Sequence, residues 1–228
     1  MSPLVVVARV FPDAVRRGDP RLFSWLAVCG PVTAGALYPK SLRSPTHRDD
    51  LSYNPAVSRL RRIADRDRVF FVTTNLAPGV GVLAPIERDI VLEQLNRQRT
   101  AGDFLLFGYV VMPSHLHLLL APDECGLTTA MYRLKRFTAQ NILKHRRSRG
   151  AIWQARYFDF ILRRVGDFWG KLEYIHSNPV EAHLAAKPED WRWSSAVHYE
   201  RSGTPPVQVD LVDLPADRNA WLYPAPWR

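Results

Sequence analysis

The sequence predicts an α+β fold, a ferredoxin-like (RRM-like) sandwich in which an antiparallel β-sheet carries helices packed on it. Three observations lead there. Short runs rich in β-branched and aromatic residues alternate with longer stretches of helical periodicity, in the order β-α-β-β-α-β-α. Two strand runs are separated only by Pro113-Ser114, close enough to form a hairpin. No stretch repeats, and none reaches the ~20 unbroken apolar residues that a membrane span needs.

The first strand is Val69–Asn75 (VFFVTTN), closed by the Pro78-Gly79 turn. Ile86–Arg99 follows as a helix, with Ile86, Ile90, Val91 and Leu95 at helical spacing and Gly102 just past its end. Phe104–Met112 and His115–Ala121 are the hairpin strands. Leu127–Arg147 reads as the longest helix. Leu127, Met131, Leu134, Thr138 and Ile142 fall on one face, and Arg133, Arg136, Gln140, Lys144 and Arg147 on the opposite one. Phe158–Arg164 is the next strand. Asp167 then resembles an N-cap for a last helix that should stop near Ser177, because Pro179 opposes continuation.

These elements place the folded domain at 61–200, with an N-terminal extension of unassigned role over 1–60 and a C-terminal tail over 201–228. Within the extension the most apolar stretch, Leu22–Tyr38, is broken by Gly30, Pro31 and Gly35. Asp13 and Asp19 ahead of it spoil a signal-peptide n-region, so the expected location is the cytoplasm.

Of the 228 residues, 46% are hydrophobic and 23% charged, too apolar for a disordered chain. Cys29 and Cys125 are the only cysteines, which excludes a disulfide framework and a Cys-built zinc site. Lys and Arg exceed Asp and Glu by 31 to 22, a formal net charge of +9, and the pI is 9.9. The excess is concentrated. Between Glu124 and Asp159 there is no acidic residue, while Arg133, Lys135, Arg136, Lys144, Arg146, Arg147, Arg149 and Arg156 all lie there. Tyr132, Trp153 and Tyr157 are interleaved. Phosphates complement such a charge and exposed aromatics stack unpaired bases, so nucleic acid is the expected partner. A membrane surface is not, since bulky apolar residues do not border the basic face.

Residues with chemistry cluster in two places. On a strand, His115 and His117 of Ser114-His115-Leu116-His117 project to the same face, an arrangement suited to a divalent cation and equally to two polar side chains on a half-exposed strand. On the last helix, Phe168, Leu172 and Ile175 form the buried stripe. Tyr174 lies off it, with Gly170, Lys171, Ser177 and Asn178 on its side. The amide oxygen of Asn178 is suited to complete a cation site, with the Tyr174 hydroxyl beside it. His176 points toward Trp169 and Leu172, an orientation that suits packing rather than ligation.

VVMPSHLHLLL at 110–120, MYRLKRFTAQ at 131–140, IWQARYFDFILR at 152–163, LEYIHSNPVEAHL at 172–184 and WRWSS at 191–195 occur in this order. Together they resemble the single-tyrosine transposases of the His-hydrophobic-His superfamily, above all the bacterial branch associated with repetitive extragenic palindromes. The resemblance covers roughly 60–200 and leaves out the N-terminal stretch and the tail.

The resemblance implies a metal-dependent enzyme that cleaves single-stranded DNA near hairpins and rejoins it. His115 and His117 match the metal-binding pair, Asn178 the polar third ligand and Tyr174 the nucleophile. Tyr157 is a poorer candidate, being at the start of a strand. The implied cofactor is Mg²⁺ or Mn²⁺, the implied intermediate a 5′-phosphotyrosine, and the implied state a monomer or homodimer. A tyrosine hydroxyl ordinarily titrates near 10 and is a reluctant nucleophile, which is what a metal-polarised phosphate would offset. Expected DNA contacts are Arg133, Lys135, Arg136, Lys144, Arg147 and Arg156 for the backbone, and Trp153 and Tyr157 for stacking. The alternative from a different class is a non-catalytic nucleic-acid-binding module on the same kind of sheet, or an inactive relic of a mobile element.

Overall fold

The computed structural model describes residues 68–200 and 203–223. The N-terminal extension, with its Leu22–Tyr38 stretch, lies outside the described residues. The elements are β1 (Phe70–Asn75), α1 (Pro85–Thr100), β2 (Phe104–Val111), β3 (His115–Pro122), α2 (Gly126–Arg146), β4 (Phe158–Ile161), α3 (Val165–Glu181), a 3₁₀ turn (Pro188–Asp190) and the short α4 (Ala196–Tyr199). The strands form one sheet in the order β2-β3-β1-β4, every neighbour antiparallel. The expected ferredoxin-like α+β architecture is therefore present, with the sheet order that β-α-β-β-α-β connectivity produces.

Helices cover both faces of the sheet. On one, Val91, Leu92 and Leu95 of α1 and Met131, Leu134 and Ile142 of α2 pack on Phe70, Val72, Leu106, Leu116, Leu118 and Leu120. On the other, Phe168, Leu172 and Ile175 of α3 pack on Val69, Phe71, Phe107, Val110 and Leu119. A sheet buried twice over has no solvated face to alternate with, which is why β2 and β3 read as nearly continuous hydrophobic runs. The charged face of α2 is outward as expected, with Arg133, Arg136, Gln140, Lys144 and Arg147 all exposed.

The last helix departs from expectation at both ends. Asp167 is not its N-cap but sits three residues inside, where its carboxylate accepts from the backbone N–H of Arg164 (3.0 Å) and Arg163 (3.2 Å). The local signal was a helix start; its position was off by three because a capping carboxylate works from either end of the box. Nor does Pro179 end the helix. It lies inside α3 and is buried, so packing of its ring offsets the backbone bond it cannot make, and Asn178 stays on a helical turn below Tyr174.

Two anchors hold α3 against the sheet. At Gly108, next to a bulge in β2, a side-chain Cβ would come within 2.6 Å of Leu172 Cδ1, so the missing side chain makes room for the helix. Further along, His176 Nε2 bonds Ser195 Oγ at 2.8 Å, and Ser195 Oγ also accepts from the Tyr109 N–H at 3.0 Å. Burial, with His198 nearby, pushes the His176 imidazole down to about 3, so it is neutral in the fold. Part of the expected C-terminal tail is also structural. Asp210 accepts from Arg99 and from the Leu106 N–H, and Leu222 is buried with its N–H on the Arg163 carbonyl.

The Ser195 anchor and a separate clamp between α2 and α1 each carry a stability prediction. Ser195→Ala strands the Tyr109 amide and the His176 ring in the interior, and should cost about 1–3 kcal/mol by urea unfolding. Arg146 spans from α2 to Glu87 of α1 and to the carbonyls of Val80 and Val82. The hydrogen bond from Arg146 holds the Glu87 carboxyl below its ordinary value despite burial. A depressed carboxyl stabilises the fold above its unfolded pKa of about 4.3 and loses that contribution as pH falls below it. The stability difference between wild type and Arg146→Met should therefore be larger at pH 7 than at pH 3; an equal difference at both would remove the ion pair as its cause.

Candidate active site

Strand alternation sends Leu116 and Leu118 into the α1/α2 side and leaves His115 and His117 facing α3. Their rings meet edge to face at 4.6 Å between centroids. The antiparallel register sets Thr73 of β1 beside His117, and the Thr73 Oγ1 to His117 Nδ1 distance is 2.8 Å. On the far side of the ring, Asn178 Nδ2 lies 3.5 Å from His117 Nε2. Both ring nitrogens of His117 thus have a polar partner, one on β1 and one on α3. Asn178 also hydrogen-bonds to His115, whose Nδ1 is 3.0 Å from Ser114 Oγ.

Burial holds both rings neutral. It pushes His117 well below its ordinary value, aided by the neighbouring His115 and the Lys171 ammonium. It also lowers His115, against the Asn178 hydrogen bond. Neutral imidazole is the form that ligates a metal.

Tyr174 completes the group. Half-buried, it packs edge-on against His117 (5.3 Å) and Phe71 (5.8 Å). The structure thus brings together His115, His117, Tyr174 and Asn178, which are separated by up to 63 positions in sequence. His176 is buried and bonds Ser195, so it packs rather than joining the group, although the sequence pointed it toward Trp169 and Leu172 and gave no sign of Ser195. Sequence reasoning assigned no role to two neighbours. Thr73 is a plain strand residue until register places it opposite His117. Lys171 was legible as sharing the side of Tyr174, and its Nζ sits 5.4 Å from that ring and 4.7 Å from Phe71.

The expected DNA contacts divide. Arg136, Lys144, Arg147 and Arg156 are exposed. Arg133 is exposed but ion-paired to Asp103 at 2.7 Å. Lys135 is turned inward, its ammonium donating to the carbonyls of Gln154 (2.6 Å) and Ala155 (2.9 Å). That ties the 151–157 loop to α2, so Lys135 is committed to structure. Trp153 corrects the expectation of a stacking residue: it is only 6% exposed, and its Nε1 donates to Thr138 Oγ1 at 2.8 Å. Its basic surroundings in sequence suggested an outward ring, but the loop's bridge from Trp153 to Leu76 turns it into the core. Tyr157 is half-buried in a groove with Tyr132, Arg136 and Ile152.

No family model matches the chain. Two curated proteins do. The REP-associated tyrosine transposase of Escherichia coli K12 is 25% identical over 165 residues, spanning 70% of this chain and 96% of that protein. A putative REP-associated tyrosine transposase of Haemophilus influenzae is 32% identical over 98 residues, spanning 37% of this chain and 54% of that one. A solved structure of a REP-associated tyrosine transposase bound to a REP hairpin superposes with a TM-score of 0.52 at 21% identity, covering 66% of this chain and 91% of the other, which establishes the shared fold. The likeness read from the linked motifs thus holds in sequence and in fold: the chain is similar to REP-associated tyrosine transposases in sequence and shares the fold of one of them.

Proposed function

We propose that this protein is a metal-dependent, transposase-like enzyme that cuts single-stranded DNA beside hairpins through a covalent tyrosine link and rejoins the strands. The observation that carries this reading is the convergence of Tyr174, the His115–His117 pair and Asn178 on one face of the sheet. The relatives' names point to the same chemistry, and the related structure holds a REP hairpin.

The donor set fits a divalent cation. His117 is oriented by Thr73 so that Nε2 faces the Asn178 amide, the outer contact that fixes a ligating histidine. Among the described residues no group of three or more His, Cys, Asp or Glu side chains gathers as a metal site, so the pair would be completed by Asn178 and by substrate oxygens. Mg²⁺ or Mn²⁺ held there would polarise the scissile phosphate and offset the charge that develops in displacement.

The protein's own residues do the rest. Tyr174 Oη attacks phosphorus, the P–O3′ bond breaks, and the phenolic proton is lost as the departing oxygen gains one and becomes a 3′-hydroxyl. The strand stays joined to Tyr174 through its 5′-phosphate, and the ester bond is conserved, so a second 3′-hydroxyl reverses the step without ATP. Packing against Phe71 and His117 fixes the phenol. Arg136, Lys144, Arg147 and Arg156 provide an exposed basic surface for the backbone. Among the described residues no helix is long and apolar enough to cross a membrane.

The test is a denaturing-gel assay on hairpin DNA from the repeats flanking the gene, with Mg²⁺ or Mn²⁺. Wild type should form a covalent adduct that is absent in Tyr174→Phe and in His115→Ala/His117→Ala. Binding without an adduct under any divalent metal would leave the non-catalytic module or relic in its place. Thr73→Val removes only the hydroxyl that orients His117. It should weaken metal affinity about 10- to 100-fold by titration calorimetry, and unchanged affinity would refute the orienting role.

A further inference from the structure

We infer that Phe158 and Lys171 form a nucleotide subsite beside the catalytic group, in which Phe158 stacks one unpaired base of the single-stranded flank and Lys171 receives the adjoining phosphate. The inference rests on the DNA reading above. Its starting point is the sheet register. Val110 pairs with His117, His117 with Thr73, and Thr73 with Phe158, so these side chains form one row across the four strands on the α3 face. With strands about 4.8 Å apart, Phe158 stands roughly 10 Å from His117. That is about the reach from a phosphate to a neighbouring base.

The row ends at the edge strand β4, and Phe158 is 51% exposed there. An exposed aromatic by itself says little. Here it shares its face with Phe160, which pairs with Phe71 in the next row. The Lys171 ammonium lies 5.8 Å from the Phe160 ring, two residues along β4 from Phe158, and 5.4 Å from the Tyr174 ring. An aromatic ring next to a cation, on a sheet surface at the mouth of a phosphate-processing site, is complementary to a single-stranded nucleotide. Stacking serves the base whatever its identity, and the ammonium serves the phosphate.

The test uses the full chain and reads binding rather than cleavage, by anisotropy of a labelled hairpin with a single-stranded flank. An abasic site is walked through the flank. One position should weaken wild-type binding about tenfold. Phe158→Ala should bind the intact DNA equally weakly and be insensitive to that abasic site, while Phe158→Tyr restores both affinity and sensitivity. Phe158→Leu keeps the apolar volume without the ring and should behave like Phe158→Ala, which separates stacking from any loss of fold. Lys171→Met should flatten the salt dependence of flank binding by about 0.7 in the log–log slope, with no change for a hairpin lacking the flank. The subsite is overturned if Phe158→Ala binds like wild type, if its loss adds to that of the abasic site, or if the flankless hairpin suffers equally. A chain that passes this test yet makes no covalent adduct loses the catalytic reading and keeps the subsite. A chain that binds no hairpin DNA loses both.

Discussion

Everything at the site depends on one helix being held across one face of the sheet. Tyr174 and Asn178 ride on α3, the histidines on β3, and the two meet only because Phe168, Leu172 and Ile175 are buried on Phe71, Phe107 and Leu119. Gly108 admits Leu172, and Ser195 grips His176. Rotation of α3 by one residue (about 100°) would carry the phenol away from His117. The hydrophobic stripe and the polar site are two sides of a single helix, so packing sets the geometry of the chemistry.

Burial then sets the charge state. The His pair is neutral because it is desolvated, and Lys171 and the second ring reinforce this. A protonated pair would repel a cation, whereas a neutral pair offers two lone pairs in a confined space. Thr73 and Asn178 contact the ring nitrogens of His117 from either side, which holds the ring in place between β1 and α3.

The positive charge is not a single feature. Arg146 clamps α2 to Glu87 and the loop before α1, Lys135 holds the 151–157 loop, and Arg133 pairs with Asp103. Arg136, Lys144, Arg147 and Arg156 remain on the surface. α2 ends where β1 ends and β3 begins, since Arg146 reaches Val80 and Val82 just beyond β1. The exposed cations at the end of α2 therefore lie at the same end of the sheet as His115, on the face opposite to α3.

The sequence by itself determined the element order, the sheet class, and the buried stripe and charged face of α2, and it singled out the four residues that the structure brings together. Those are local patterns: period 2 or 3.6, a hairpin turn, and linked motifs that carried the family likeness. Register and long-range hydrogen bonding decided the rest. Thr73 became the partner of His117 and Phe158 the end of its row because antiparallel pairing chose them, and no local signal encodes cross-strand neighbours. Trp153 and Lys135 lay among cations and read as surface, yet a loop bridge and three carbonyls turned them to structure. Pro179 read as a stop, but burial of its ring outweighed one lost hydrogen bond. In each case a tertiary interaction exceeded a local preference worth no more than a few kcal/mol.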